Sequence, residues 1–147
     1  MSETYVPMIS SGTAGPLGVL HLPRLWQKLS LEAQGKIAPG YPGMGRGYDA
    51  MTCAALGLDE TAVQDYVKQN KPTYTQFEAW VKENAKTLTP EAIEKHNADV
   101  TGYIHDEETR KEILSCCNLP DDDAAAKDAV NLNNLDDWNA FHAAVLK

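Results

Sequence analysis

The residue types able to hold an anion or move a proton gather in one stretch of the chain. Gly35 to Asp49 holds five of the ten glycines and two of the eight prolines, and among them stand Tyr41, Arg46, Tyr48 and Asp49. A guanidinium can grip a carboxylate or phosphate through two parallel hydrogen bonds. Tyrosine hydroxyls and the amides of Gly45 and Gly47 can supply further donors, because glycine lets a ligand come close to the backbone. Just upstream lie His21 and Arg24. The expected ligand-binding set is Arg24, Tyr41, Gly45, Arg46, Gly47 and Tyr48, and the candidates for proton transfer are His21, Tyr48 and Asp49. Each has a plainer reading. Asp49 can cap the helix that follows, and its carboxylate would then occupy an N-terminus that an anion would otherwise use. Arg24 and Lys28 are four apart and read as a solvated helix flank with buried alkyl stems.

Other chemistries fit less well. Gly43-Met-Gly-Arg-Gly47 follows a helical pattern, whereas dinucleotide folds place their glycines between strand and helix, and the Walker Lys-Ser/Thr pair is missing. His96 and His105 are nine apart, on opposite sides of any continuous helix, and no His-x-x-x-His or Cys-x-x-Cys spacing occurs. No metal and no cofactor is expected. Cys53, Cys116 and Cys117 read as reduced thiols, with Cys53 a small buried residue. Asp121-Asp-Asp123 reads as a solvated acidic run. A net charge of −8 argues against a nucleic-acid partner. The charge is uneven: residues 1–50 carry four basic groups against three acidic ones, and the remainder nine against eighteen. An anionic small molecule would therefore meet least repulsion near the glycine loop. No segment has the length of a membrane span or a signal core, so a cytoplasmic protein without a membrane partner is expected.

The elements that must position these groups are helical. Pro23 suits a first helical turn, and Leu22, Leu25, Trp26, Leu29 and Ala33 recur at helical spacing, which predicts a helix over roughly 22–34. Gly35 then stands as its C′ residue. Further helices are expected after Asp49, Asp59, Thr73 or Thr75, Thr89 and Asp106, each a capping residue. Residues 119–134 read as an exposed connection with at most a short helical turn, and a last helix is expected over about 135–146. Leu25, Trp26, Leu29, Leu56, Val63, Phe77, Trp80, Val81, Ile93, Ile113, Leu114, Trp138 and Phe141 form the expected core. No convincing period-two pattern appears. The fold class is all-α: an arm over residues 1–15, then one compact domain over 16–147 of six or seven short helices with a long Gly/Pro-rich loop.

The run His21-Leu-Pro-Arg-Leu-Trp-Gln-Lys-Leu, the glycine loop ending in Gly47-Tyr-Asp49, and Leu56-Gly-Leu-Asp59 together resemble a family of small bacterial domains of unknown function. The resemblance covers about residues 17–104 and touches Pro23, Arg24, Leu25, Asp49, Gly57 and Asp59. It implies a single helical domain and assigns no activity. Two functions are open on the sequence. One is a non-catalytic domain that binds an anionic small molecule or a protein partner through the glycine loop. The other is a small metal-independent enzyme doing acid/base chemistry on an anionic metabolite.

Overall fold

A computed structural model describes residues 3–122 and 125–146. Among them are seven helices and no strand: α1 (Leu22–Ala33), α2 (Tyr48–Leu56), α3 (Glu60–Asn70), α4 (Tyr74–Asn84), α5 (Pro90–Gly102), α6 (Glu107–Cys116) and α7 (Ala129–Val145). The protein is an all-α single domain.

Side-chain caps start most of the helices. Asp59, Thr73, Thr89, Asp106 and Asp128 each accept a first-turn amide at the starts of α3 to α7, and Thr73 forms a reciprocal capping box with Gln76. Gly57 ends α2 at φ 68, and a Cβ there would press on Lys86 and the Thr87 amide.

The main core lies between α1, α3 and α4, where Leu22, Leu25, Leu29, Val63, Val67, Phe77 and Val81 interlock with Leu56 and Cys53 of α2. Trp26 and Trp80 sit at its edge. The Trp26 indole donates to Pro72 O, and Trp80 stacks on Tyr66. A smaller cluster joins Tyr48 of α2, Val100 of α5 and Ala129 of α7, and a third packs Ile113 and Leu114 of α6 on Leu132.

Three expectations about the C-terminal part are corrected. Its helix begins at Ala129 with Asp128 as cap, so residues 129–134 of the expected connection are helical and contribute Ala129 and Leu132 to the interior. Trp138 and Phe141 are exposed, 54% and 38%. The buried positions of α7 lie between Ala129 and Asp137, and of these Asp137 lines the cleft. Asp121 of the acidic run pairs with buried Arg110 at 2.5 Å, so it is not simply solvated. Asp123, at the end of that run, lies outside the described residues.

The segment before α1 lies against the domain. Tyr5 exchanges backbone hydrogen bonds with Lys36 and Ala38, and Val6, Pro7 and Ser11 are buried. Ser11 and Gly12 are the central residues of a β-turn closed by Thr13 N donating to Ser10 O at 3.1 Å. Thr13 O then accepts the His21 amide, also at 3.1 Å, and so holds the turn beside the start of α1.

Candidate functional site

A cleft of about 300 Å³ opens where the turn at Ser11, the start of α1, the glycine loop and the first half of α7 meet. All the expected site residues line it: His21, Arg24, Tyr41, Gly45, Arg46, Gly47, Tyr48 and Asp49. Their surroundings differ from what spacing alone implies.

His21 caps α1 with a left-handed backbone, φ 72, which is uncommon for a residue with a Cβ. This conformation accompanies an almost fully buried ring that is bonded at both nitrogens. Nε2 lies 2.5 Å from Asp49 Oδ1, and Nδ1 lies 3.0 Å from Ser11 Oγ. Asp49 is equally enclosed, and its Oδ2 accepts from Lys28 Nζ at 2.5 Å and from the Gly45 amide at 2.7 Å. Burial would push the Asp49 carboxyl up, but the hydrogen bond from His21 and the Lys28 ammonium outweigh it and hold it at about 2.

The proton positions follow. An ionised Asp49 can only accept, so His21 Nε2 carries the hydrogen. Burial lowers the His21 pKa below its ordinary value despite the carboxylate, with Lys28 and Arg24 adding to the effect. The ring is therefore neutral near pH 7, and Nδ1 is a lone pair that accepts the Ser11 hydroxyl. The result is a relay of Ser11 O–H to His21 Nδ1 and His21 Nε2–H to Asp49. It is the arrangement of a base, its orienter and a hydroxyl that nucleophilic catalysis uses.

Asp49 is not the helix cap that its position suggests. Gly47 occupies that place with no side-chain acceptor, and Asp49 turns from the first turn of α2 toward Lys28 and His21. Arg24 and Lys28 are not a solvated flank either. The Arg24 guanidinium donates twice to Asp137, at 2.7 and 3.1 Å, and to the carbonyls of Pro7 and Ile9. These partners hold it in place. Tyr41 donates to Asp137 Oδ1 at 3.0 Å and so ties the glycine loop to α7. Tyr48 donates to Val100 O at 2.8 Å, away from His21, and burial pushes its phenol up to about 12, so it is a poor proton carrier.

The loop glycines answer several demands. Gly35 and Gly40 adopt positive φ, whereas Gly45 and Gly47 do not. Gly45 is wanted for close approach, since a Cβ would stand 3.1 Å from Asp49 Oδ2. At Gly43 a Cβ would collide with the Glu32 carboxylate that its own amide bonds.

Two charged groups on the cleft remain without an ion pair or hydrogen bond among the described residues. Arg46 is exposed, and Asp136 on α7 is half-buried. Burial and the adjacent Asp137 raise the Asp136 carboxyl above its ordinary range. Sequence reasoning missed Ser11, Lys28, Asp136 and Asp137. Ser11 stands in the stretch read as an arm over residues 1–15, and Asp136 and Asp137 in the last helix, expected over about 135–146, where only the apolar positions were singled out. Only the Ser-Ser-Gly turn at residues 10–12 hints that the first of these is held in place.

A family model described as a domain of unknown function, DUF5069, matches residues 10–139, and the chain belongs to that family. The matched span takes in the whole relay and Asp137. No curated protein matches the chain.

Proposed function

We propose that this DUF5069 domain is a small enzyme in which His21 acts as a general base on a small polar metabolite held in the cleft. The observation that carries this reading is the buried His21, bonded by an ionised Asp49 on one nitrogen and by the Ser11 hydroxyl on the other. A histidine kept neutral near pH 7, fixed in one tautomer and opening through a hydroxyl onto a cleft is equipped to take a proton. Asp49 has two roles. It orients the ring, and it stabilises the imidazolium that proton transfer creates. Lys28 and the Gly45 amide keep Asp49 ionised and in place.

The cleft itself supports a substrate class. Arg24 and Lys28 are already paired with Asp137 and Asp49, whereas Arg46 has no ion pair among the described residues and is placed to meet an anionic group. Asp136 faces the same space and favours a ligand that also carries a hydroxyl or an ammonium. A purely anionic ligand would meet repulsion there.

The test is an activity screen on a complex mixture. The protein and its His21→Gln variant are each incubated with a cell metabolite extract, and consumed and produced species are followed by mass spectrometry. At least one species should be consumed by the parent chain and spared by His21→Gln. If no species changes, or if both proteins change the same ones, His21 is not a catalytic base.

The plainer binding reading, without catalysis, draws on the exposed Arg46. Acetate or inorganic phosphate titrated against the protein should then move Arg46 and loop-glycine amide signals in NMR spectra, with no chemical conversion of any extract component.

A further inference from the structure

We infer that Ser11 is a nucleophile and that the site transfers acyl groups from esters of small polar acids to water. This rests on the reading of His21 as a base, and takes it to a reaction class. Both ring nitrogens of His21 are engaged, Nε2 by Asp49 and Nδ1 by Ser11 Oγ. No basic atom of the ring is left to face the cleft. Whatever proton His21 takes must come from the position that the Ser11 hydroxyl occupies, so the base acts on this serine first. Among the described residues the only hydrogen bond of that hydroxyl is to His21, and Ser11 lines the cleft despite being almost wholly buried. The roles match those of a nucleophile, base and orienting acid, which are recognised by geometry and not by order in the chain.

The steps balance with water as the only co-reactant. Ser11 Oγ attacks the ester carbonyl carbon while its proton passes to His21 Nδ1, and the C=O electron pair moves onto oxygen. The imidazolium is held by the Asp49 carboxylate at Nε2–H. Collapse of the tetrahedral centre breaks the bond to the alkoxy group, which leaves with the proton from Nδ1 as an alcohol. A water molecule then gives its proton to Nδ1 and attacks the acyl carbon. The second collapse releases the carboxylic acid and returns the proton to Ser11.

Donors for the developing oxyanion lie on the same walls. Lys28 lines the cleft and has three N–H bonds, one of which is spent on Asp49. The first amides of α2 follow Gly47 and have no side-chain acceptor among the described residues. Such fixed donors stabilise a tetrahedral oxyanion more than they do the carbonyl that precedes it.

The experiment treats the full chain with an alkyl fluorophosphonate and reads intact mass and peptide map, in parallel with hydrolysis of p-nitrophenyl acetate. The expected result is a single adduct on Ser11, absent from Ser11→Ala, with ester turnover in that variant down by roughly 1,000-fold or more. Ser11→Cys serves as the second variant. Its new thiol should be alkylated by iodoacetamide faster than Cys116, because the same base activates it. Ser11 left unlabelled in a folded protein, or Ser11→Ala with parental ester turnover, overturns the nucleophile. If either occurs while His21-dependent conversion persists in the metabolite extract, the general-base reading stands and only the covalent step fails. If that conversion is absent too, both fail.

Discussion

Asp49 is the residue on which most of the site's electrostatics depends. It is the counter-charge of buried Lys28 and the partner of His21. Removing one member of a buried pair strands the other, at a cost of about 3–5 kcal/mol. Asp49→Ala should therefore lower the urea unfolding free energy by that amount, and Ser11→Ala, which deletes one hydrogen bond, by about 1 kcal/mol. The pH dependence has a definite sign. Burial holds His21 and His96 below 6.5, and the buried Nδ1 of His96 has no hydrogen-bond partner among the described residues. As pH falls below 6.5, the unfolded chain binds protons that the folded chain refuses, and stability drops. Asp49 adds a second loss at lower pH. Its carboxyl stands at about 2 against an ordinary 3.8, a stabilisation complete above pH 3.8 and gone as pH falls to about 2. That difference is worth about 2 kcal/mol. Urea midpoints measured from pH 8 down to 3 should fall through the first window and fall again on entering the second. A flat profile would mean that none of these groups is buried as described.

At the level of elements, what was legible in the sequence is what is local. Capping residues and 3.6-residue periodicity act within a turn or two, so Asp59, Thr73, Thr89 and Asp106 mark their helices correctly. The glycine loop and His21, Arg24 and Asp49 could also be singled out, because unusual composition marks a stretch by itself. What could not be read was partnership. Arg24 and Lys28 share a face that looks solvated, and only Asp137 and Asp49, 113 and 21 residues away, make it an interior. Helix α7 fails for a related reason. Its apolar residues run all along it, and a stripe of Trp138, Phe141 and Val145 looks like a core face. Yet the helix is anchored by Ala129, Leu132 and Asp137, and its far end projects these rings outward. Trp138→Ala should accordingly shift stability by less than about 0.5 kcal/mol. Phe77→Ala, which empties the centre of the α1–α3–α4 core, should cost about 3–5 kcal/mol. Equal melting shifts for the two would contradict this division of α7.

For the whole molecule, the thiols report on opening of the fold. Cys53 is enclosed in the main core, and burial pushes its thiol up to about 12, whereas Cys116 is exposed. A thiol-exchange reagent at pH 8 should modify Cys116 at once and Cys53 only as fast as the protein unfolds. Dithiothreitol should leave the melting temperature unchanged, since all three cysteines are free. Prompt reaction of Cys53 would show that the core opens locally without global unfolding.

The Arg24 guanidinium draws together the segment at Pro7 and Ile9, the first helix, and Asp137 of the last. On a ribosome these parts do not arrive together. Asp137 is added 113 residues after Arg24, which at ordinary elongation speeds is roughly 6 to 23 seconds later. Throughout that interval the nascent chain holds a cation whose fold requires it to be enclosed and whose counter-charge has not been made. The cleft wall cannot close until Asp137 has emerged from the exit tunnel, so the site is among the last parts of the molecule to be completed. Translation stalled in the loop before α7 would leave a helical chain with its main core assembled and its cleft still open to water.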